Sequence, residues 1–271
     1  MKIKILIDNK TKNEWNAEWG LAVWVEYEGH RILLDAGTSG IFTENADSMG
    51  VDLAQVEFGV LSHAHYDHSD GLESFFERNK DAVFYLRNTC AENCYSKKDG
   101  TELTYIGIKP GYLEAFADRF RYVEGDYEVV PGVTLLPHKT KNLEAIGEHA
   151  GMYVKIRGQF RPDSYDHEQS LVFDTDKGLV IFNSCSHGGA DNIIREVHET
   201  WPEKQIYALI GGLHLFCSTD EEVRALAGRI RETGIRHVYT GHCTGDAAME
   251  ILREELGDVV QEFYTGFEMT V

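Results

Sequence analysis

Ser62-His63-Ala64-His65-Tyr66-Asp67-His68-Ser69-Asp70-Gly71 sets three imidazoles and a carboxylate within six positions, directly after the apolar run Phe58-Gly59-Val60-Leu61. Residues two apart on a helix point to nearly opposite sides, so this cluster cannot occupy one helix face. The spacing predicts a strand end that turns into a loop and aims its donors at a common point. Neutral imidazole and carboxylate are ligands of first-row divalent ions, and an aspartate among histidines suits zinc, manganese or iron. A metal site is the expectation. A polar turn where histidines fell together by chance is the plain alternative.

At 271 residues the chain can bury a sizeable core, and no repeat or linker divides it, so one domain over 1–271 is expected. Hydrophobic residues make up 42%, with no apolar run long enough to span a bilayer. Met1-Lys2-Ile3-Lys4-Ile5-Leu6-Ile7 alternates like a half-buried strand and lacks the pattern of a signal peptide, which makes a cytoplasmic location the expectation. The five cysteines are odd in number and lack CxxC spacing, so no disulfide framework is implied. A net charge of -19 argues against nucleic acid as a partner, because such binding draws on cationic contacts. A small anionic substrate remains compatible, since divalent ions would supply local positive charge.

Residues 21–35 read as a hairpin, 40–50 as a short helix, and Val56 to Leu61 as the strand that delivers the histidine loop. Leu72, Phe75 and Phe76 recur at helical spacing and are expected in the core. After the strand Ala82 to Leu86 the chain looks irregular, and 87–126 is expected to be a lid or substrate loop. Its Tyr95, Tyr105 and Tyr112 either stack a ring or pack at the rim. Cys90 and Cys94 have the spacing of one helical turn, a weak hint of another metal centre. Strands are expected at Tyr127 to Val130, Val133 to Leu136 and Met152 to Ile156, as the start of the second half of a sheet sandwich. His138, Lys139 and Lys141 either meet a phosphate or form a solvated basic turn.

The last third alternates regularly. Strands at 179–182, 205–210 and 235–239 are each followed by a loop and a helix: 190–200, 219–233 behind a Ser218/Glu221 or Thr219/Glu222 capping box, and 246–256 with Asp246 as N-cap. The three loops carry His187, His214 and His242. Ligands gather where the carboxyl ends of strands face solvent, so connectivity predicts that these histidines share a site with the His63 loop.

His63-x-His65-x-Asp67-His68, with Asn183-Ser184-Cys185-Ser186-His187, Gly211-Gly212-Leu213-His214 and Thr240-Gly241-His242-Cys243-Thr244-Gly245, resembles the metallo-β-lactamase superfamily. The later motifs resemble the branch named for 7,8-dihydropterin-6-yl-methyl-4-(β-D-ribofuranosyl)aminobenzene 5'-phosphate synthase, which includes metal-dependent phosphodiesterases. The resemblance covers essentially the whole chain. It implies an α/β fold, the αββα sandwich of two facing mixed sheets with helices outside. It implies two divalent metal ions, zinc foremost and manganese or iron as alternatives. His63 and His65 fall to one metal, Asp67 and His68 to the other, and His242 completes the second. Asp35 matches an aspartate that supports the metal loop, and Trp19 stands where many branch members have histidine.

One landmark departs from the superfamily pattern, because Cys185 falls where a bridging aspartate is usual. His187 is the favoured third ligand of the first metal, with His167 and Cys185 as alternatives. Fewer anionic ligands would leave the metals more electrophilic and less tightly held. His214 is the candidate general acid or oxyanion donor, with a histidine packed under Phe216 as the plain alternative. Asp67 counts with it among the catalytic groups. His30, His149, His198 and His237 have no partners by spacing and read as surface or capping residues.

The expected function is a metal-dependent hydrolase that uses a metal-activated water on a small phosphodiester or phosphate-bearing substrate, pterin-like or nucleotide-like. The alternatives are an iron-dependent oxidoreductase of the same fold and a non-catalytic sensing or binding protein.

Overall fold

The computed structural model describes residues 1–12, 14–98 and 102–271. Gly100, one of the residues of the 87–126 segment, lies outside them. Two seven-stranded mixed sheets stack face to face. The first runs Glu268–Thr270, Lys2–Ile7, Ala22–Tyr27, His30–Leu34, Phe58–Val60, Val83–Arg87 and Phe120–Val123 in spatial order. The second runs Val260–Glu262, His237–Thr240, Ile206–Ile210, Gly178–Phe182, Gln169–Thr175, Val133–Pro137 and Tyr127–Val130.

Each sheet is covered on both faces, which is why its strands read as nearly continuous apolar runs. Val23, Val25, Ile32 and Leu34 meet Leu171, Phe173, Val180 and Phe182 between the sheets. The alternate residues Trp24 and Leu33 turn outward into a cluster with Phe42 and Phe75 of the helices Ile41–Ser48 and Leu72–Arg78. Leu179 and Ile181 do the same against the helices Ala190–Thr200, Asp220–Thr233 and Asp246–Leu256. The result is the αββα sandwich expected from the resemblance. Among the described residues, no helix is long and apolar enough to cross a membrane.

His30–Leu34, Phe58–Val60, Val83–Arg87 and Phe120–Val123 run parallel to one another. So do Gly178–Phe182, Ile206–Ile210, His237–Thr240 and Val260–Glu262. Gln169 ties the sheets together beside the histidine loop: its backbone N–H donates to the Ser62 carbonyl at 2.8 Å and its side-chain amide to the Leu61 carbonyl at 2.8 Å.

Three expectations need correction. The stretch after Arg87 is not irregular: Cys94–Lys98 and Glu102–Tyr105 are strands. They join Met152–Ile156 and Gln159–Pro162 in a separate four-stranded sheet, so Met152–Ile156 does not belong to the sandwich. Both follow from long-range pairing, which local composition does not encode. The last helix has Gly245 and not Asp246 at its N-cap. The chain leaves the preceding turn at φ 79°, a conformation open to glycine, and the Asp246 carboxylate pairs with Lys10 instead. The capping box before Asp220–Thr233 is formed by Thr219 and Glu222.

Candidate metal centre

The histidine loop leaves the strand Phe58–Val60 as expected, but its second half is a helical turn, Tyr66–Ser69, which carries Asp67 and His68. The small sheet's connection grips this loop from outside. Tyr66 N–H donates to Ile106 O at 3.0 Å and Ile108 N–H to Ala64 O at 3.2 Å. Segment 87–126 thus backs the histidine loop directly.

His187, His214 and His242 follow the carboxyl ends of three adjacent parallel strands. Gly211 has φ 149°, and a Cβ there would stand 1.8 Å from the Asn183 carbonyl, so only glycine lets these strand-end loops pack together. Eight non-glycine residues among those described have positive φ, and Asp35, Ser186, His214 and His242 are four of them. Strained backbone of this kind costs ~1–3 kcal/mol per residue and concentrates at functional sites.

Ring orientation of His63, His68 and His242 is set by an anchor on Nδ1. His68 Nδ1 donates to Asp35 Oδ2 at 2.7 Å. Ser62 Oγ donates to the same oxygen at 2.7 Å and accepts from His63 Nδ1 at 2.8 Å. His242 Nδ1 donates to Asn9 Oδ1 at 2.9 Å, while the Asn9 amide returns a bond to the His242 carbonyl at 2.9 Å. These anchors turn three Nε2 atoms inward, and a neutral imidazole that donates through Nδ1 presents at Nε2 the lone pair that binds metal.

Those atoms converge on sulfur and on one another. His68 Nε2 lies 3.2 Å from Cys185 Sγ. His63 Nε2 lies 3.3 Å from His187 Nε2. His242 Nε2 is buried, has no hydrogen-bond partner among the described residues and stands 3.5 Å from Asp67 Oδ2. Ligand atoms of His63, Cys185 and His187 fall within 4.8 Å of one another, as do those of His68, Cys185 and His242. Cys185 therefore sits between both groups.

His65 is placed differently. Its ring lies 4.5 Å from that of His63 and 4.8 Å from that of His187, yet its ligand atoms cluster with Cys94, Asp163 and His167. His167 is fully engaged by that cluster: Nδ1 accepts from Ala64 N–H at 3.2 Å and Nε2 meets Asp163 at 3.0 Å. Of the cysteine pair, Cys94 joins this group and Cys90 does not; Cys90 Sγ donates to the His167 carbonyl. Tyr95 and Tyr105 pack edge to face, and Tyr112 donates to Glu73.

The buried histidines divide into two kinds: burial would lower His242, but Cys243, Asp67 and Asp8 raise it to about 9, whereas three others are lowered. Burial first, and then neighbouring imidazoles, hold His63 and His187 well below the ordinary histidine range. Burial and then His167 bring His65 down to about 3. Asp67 is held well below the carboxylate range, because His68 and His242 outweigh the burial that would raise it. Burial and the Cys243 sulfur push the Cys185 thiol up. The donors are nitrogen, oxygen and sulfur, and a buried unpartnered Nε2 points among them. This set fits divalent zinc-like ions.

His214 stands at the edge of the centre, half-buried, its ring 4.3 Å from that of His187 and 5.2 Å from that of Phe216. Its backbone N–H meets Cys243 Sγ at 3.3 Å. His138 is neither a phosphate contact nor a solvated turn residue. It is buried between Glu168 at 2.6 Å and Glu196 at 3.1 Å. Burial alone would lower its pKa, but the two carboxylates raise it to about 10. Glu168 in turn accepts the backbone N–H groups of His187 and Gly188 at 3.0 and 3.1 Å.

Sequence reasoning passed over Asp8, Asn9 and Ser62. Asp8 accepts the His242 backbone N–H at 2.8 Å, and burial lifts its pKa to about 6. The available signal was position, since Asp8-Asn9 is a polar pair at the carboxyl end of the apolar strand Lys2–Ile7.

An αββα sandwich with imidazoles gathered at the shared rim of its sheets defines a class of metal-site proteins. The profile of the Metallo-beta-lactamase superfamily matches residues 20–149. The structure of Tm1679, described as a metal-dependent hydrolase of the beta-lactamase superfamily, superposes with a TM-score of 0.86 at 30% identity, covering 100% of this chain and 99% of that one. The chain belongs to the metallo-β-lactamase superfamily. It is also 25% identical, over 92% of its length and 89% of the relative's, to the Methanocaldococcus jannaschii protein named 7,8-dihydropterin-6-methyl-4-(beta-D-ribofuranosyl)-aminobenzene-5'-phosphate synthase. A diphosphatase of the PhnP family shares the fold at a TM-score of 0.57 and 14% identity, over 100% of this chain and 97% of that one.

Proposed function

We propose that the chain is a metal-dependent hydrolase acting on a small phosphodiester or phosphate-bearing substrate, with two divalent ions held at the rim of the sandwich. The observation that carries this reading is the common orientation of His63, His68 and His242. Each is fixed through Nδ1, so that Nε2 of His63 faces His187, that of His68 faces the thiol of Cys185, and that of His242 faces the carboxylate of Asp67. His63, His187 and the neighbouring His65 would hold one ion; Asp67, His68 and His242 would hold the other, with Cys185 between them. When bound, such ions supply Lewis acidity toward a phosphoryl oxygen and acidify water.

The chain's own groups do the rest. Asp67 remains ionised beside three imidazoles and offsets the charge that gathers there. His214 stands at the exposed side of the centre, where its imidazole delivers a proton to the departing oxygen of the substrate. A net charge of -19 keeps polyanions away and favours a substrate with one phosphate group. The similarity to Tm1679, a metal-dependent hydrolase, and to a synthase of a phosphate-bearing compound supports this chemistry.

The test is turnover by protein loaded in turn with zinc, manganese and iron, using bis(p-nitrophenyl) phosphate and p-nitrophenyl acetate. Hydrolysis of the phosphodiester by at least one metal form is expected. Full metal loading with no ester cleaved in any form sinks the reading. The sulfurs of Cys185 and Cys243 close to His214 favour one other reading, an iron-dependent oxidoreductase. Iron retained through purification, with redox turnover and no hydrolysis, would select it.

A further inference from the structure

We propose that Trp19 and Phe216 form an aromatic platform at the mouth of the metal centre, which binds a planar aryl or heteroaryl group attached close to the substrate's phosphate. This rests on the phosphate-ester reading above and names the organic part of the substrate.

Trp19 is 41% exposed and Phe216 46% exposed, an unfavourable placement for large rings with nothing to cover them. They touch each other edge to face, with centroids 5.3 Å apart and planes at 73°. Trp19 also lies 5.3 Å from the ring of His242, and Phe216 lies 5.2 Å from the ring of His214. The pair therefore spans from a proposed metal ligand to the proposed proton donor. A phosphate held between those two histidines would project its organic substituent across the two rings.

The backbone that carries each ring is held by hydrogen bonds. The Trp19 carbonyl accepts from Thr38 Oγ1, and the next N–H, of Gly20, donates to Asn9 Oδ1 at 3.2 Å. Asn9 is the residue that orients His242, so the backbone next to Trp19 and the His242 ring share one anchor. On the other side, the N–H groups of Leu215 and Phe216 both donate to the Cys243 carbonyl, at 2.9 and 3.2 Å. Phe216 rests on Gly245, where a Cβ would approach its Cα to 3.0 Å. A backbone already ordered in this way adds little to the entropy lost when a ligand stacks on the rings. An edge-to-face pair leaves an open face, which suits offset stacking with a flat group.

The test compares two probes on metal-loaded protein, phenylphosphonate and methylphosphonate, by calorimetry. The unaltered protein should bind phenylphosphonate more tightly, and Trp19→Leu and Phe216→Leu should each weaken it on the order of tenfold. Methylphosphonate affinity, metal content and melting temperature should stay the same in both variants, since leucine keeps the wall apolar. An equal affinity for the two probes, or a phenyl preference that survives both substitutions, overturns the platform. If neither phosphonate binds, the phosphate reading has failed, and the platform is then read alone by quenching of tryptophan fluorescence with isoquinoline. Quenching lost in Trp19→Leu keeps the platform, and quenching of equal size in that variant overturns it.

Discussion

Asp35 and His68 are joined by a 2.7 Å hydrogen bond between Oδ2 and Nδ1, both side chains wholly enclosed, at the boundary between the first sheet and the histidine loop. Asp35 serves the loop three times over, because it also accepts the backbone N–H and the hydroxyl of Ser62, both at 2.7 Å. One carboxylate thereby orients two imidazoles.

Asp35→Asn should keep the fold, because asparagine tolerates the positive φ of 59° found there. It cannot accept from Ser62 and His68 on both oxygens, so His68 loses its fixed tautomer. Metal affinity should fall about 10- to 100-fold. Titration against a chromophoric chelator measures it, and unchanged affinity would show that the carboxylate is dispensable.

His63→Ala should lose about one bound ion per chain together with activity, since its Nε2 then has no replacement facing His187. Elemental analysis by mass spectrometry reads the stoichiometry. Metal content equal to that of the parent protein removes His63 from the ligand set.

Cys185 offers a soft sulfur where a carboxylate would be hard. Cys185→Asp should shift the preference from zinc toward manganese, whereas Cys185→Ser should weaken both. Competition between the two ions at fixed total metal decides it; identical ratios in all three proteins would mean that the sulfur binds neither.

His214→Ala should retain its metal yet turn over about 10²- to 10⁴-fold more slowly, as expected for loss of a positioned proton donor. The loss should shrink for esters with good leaving groups, which need no proton. A uniform loss across leaving groups points instead to a packing role beneath Phe216.

His138 is a buried cation between two carboxylates, so its removal should cost about 3–5 kcal/mol. Its folded pKa, about 10, lies above the ordinary value of 6.5. The stabilisation is therefore complete below about pH 6.5 and is lost as pH rises through about 10. Urea denaturation across that interval should show a declining stability that is absent in His138→Gln. Because Glu168 also holds the His187 backbone, the variant should bind the first ion more weakly as well.

Much of this was readable beforehand, and the reason is locality. The sandwich strands announced themselves because burial on two faces demands continuous apolar runs, as in Leu179-Val180-Ile181-Phe182. His187, His214 and His242 were placed correctly at strand ends because alternating strands and helices leave few other positions for polar loops. The small sheet escaped notice, since Cys94–Lys98 pairs with Met152–Ile156 across more than fifty residues and neither alternates cleanly. His138 misled for a related reason: its neighbours Lys139 and Lys141 looked solvated, and the carboxylates that enclose it come from elsewhere in the chain.

The order of residues alone determined which atoms are available for coordination, a thiol at Cys185 among them, and the rhythm of strands and helices that brings them to one rim. Folding in three dimensions decided which nitrogen of His63, His68 and His242 is free, because Asn9 reaches His242 from 233 positions away and Asp35 reaches from 33 and 27 positions away to His68 and to Ser62, the neighbour that anchors His63. It also decided that His65 leans toward Cys94, Asp163 and His167. Coordination depends on direction as well as identity, and direction is fixed by hydrogen bonds between segments that the sequence keeps far apart.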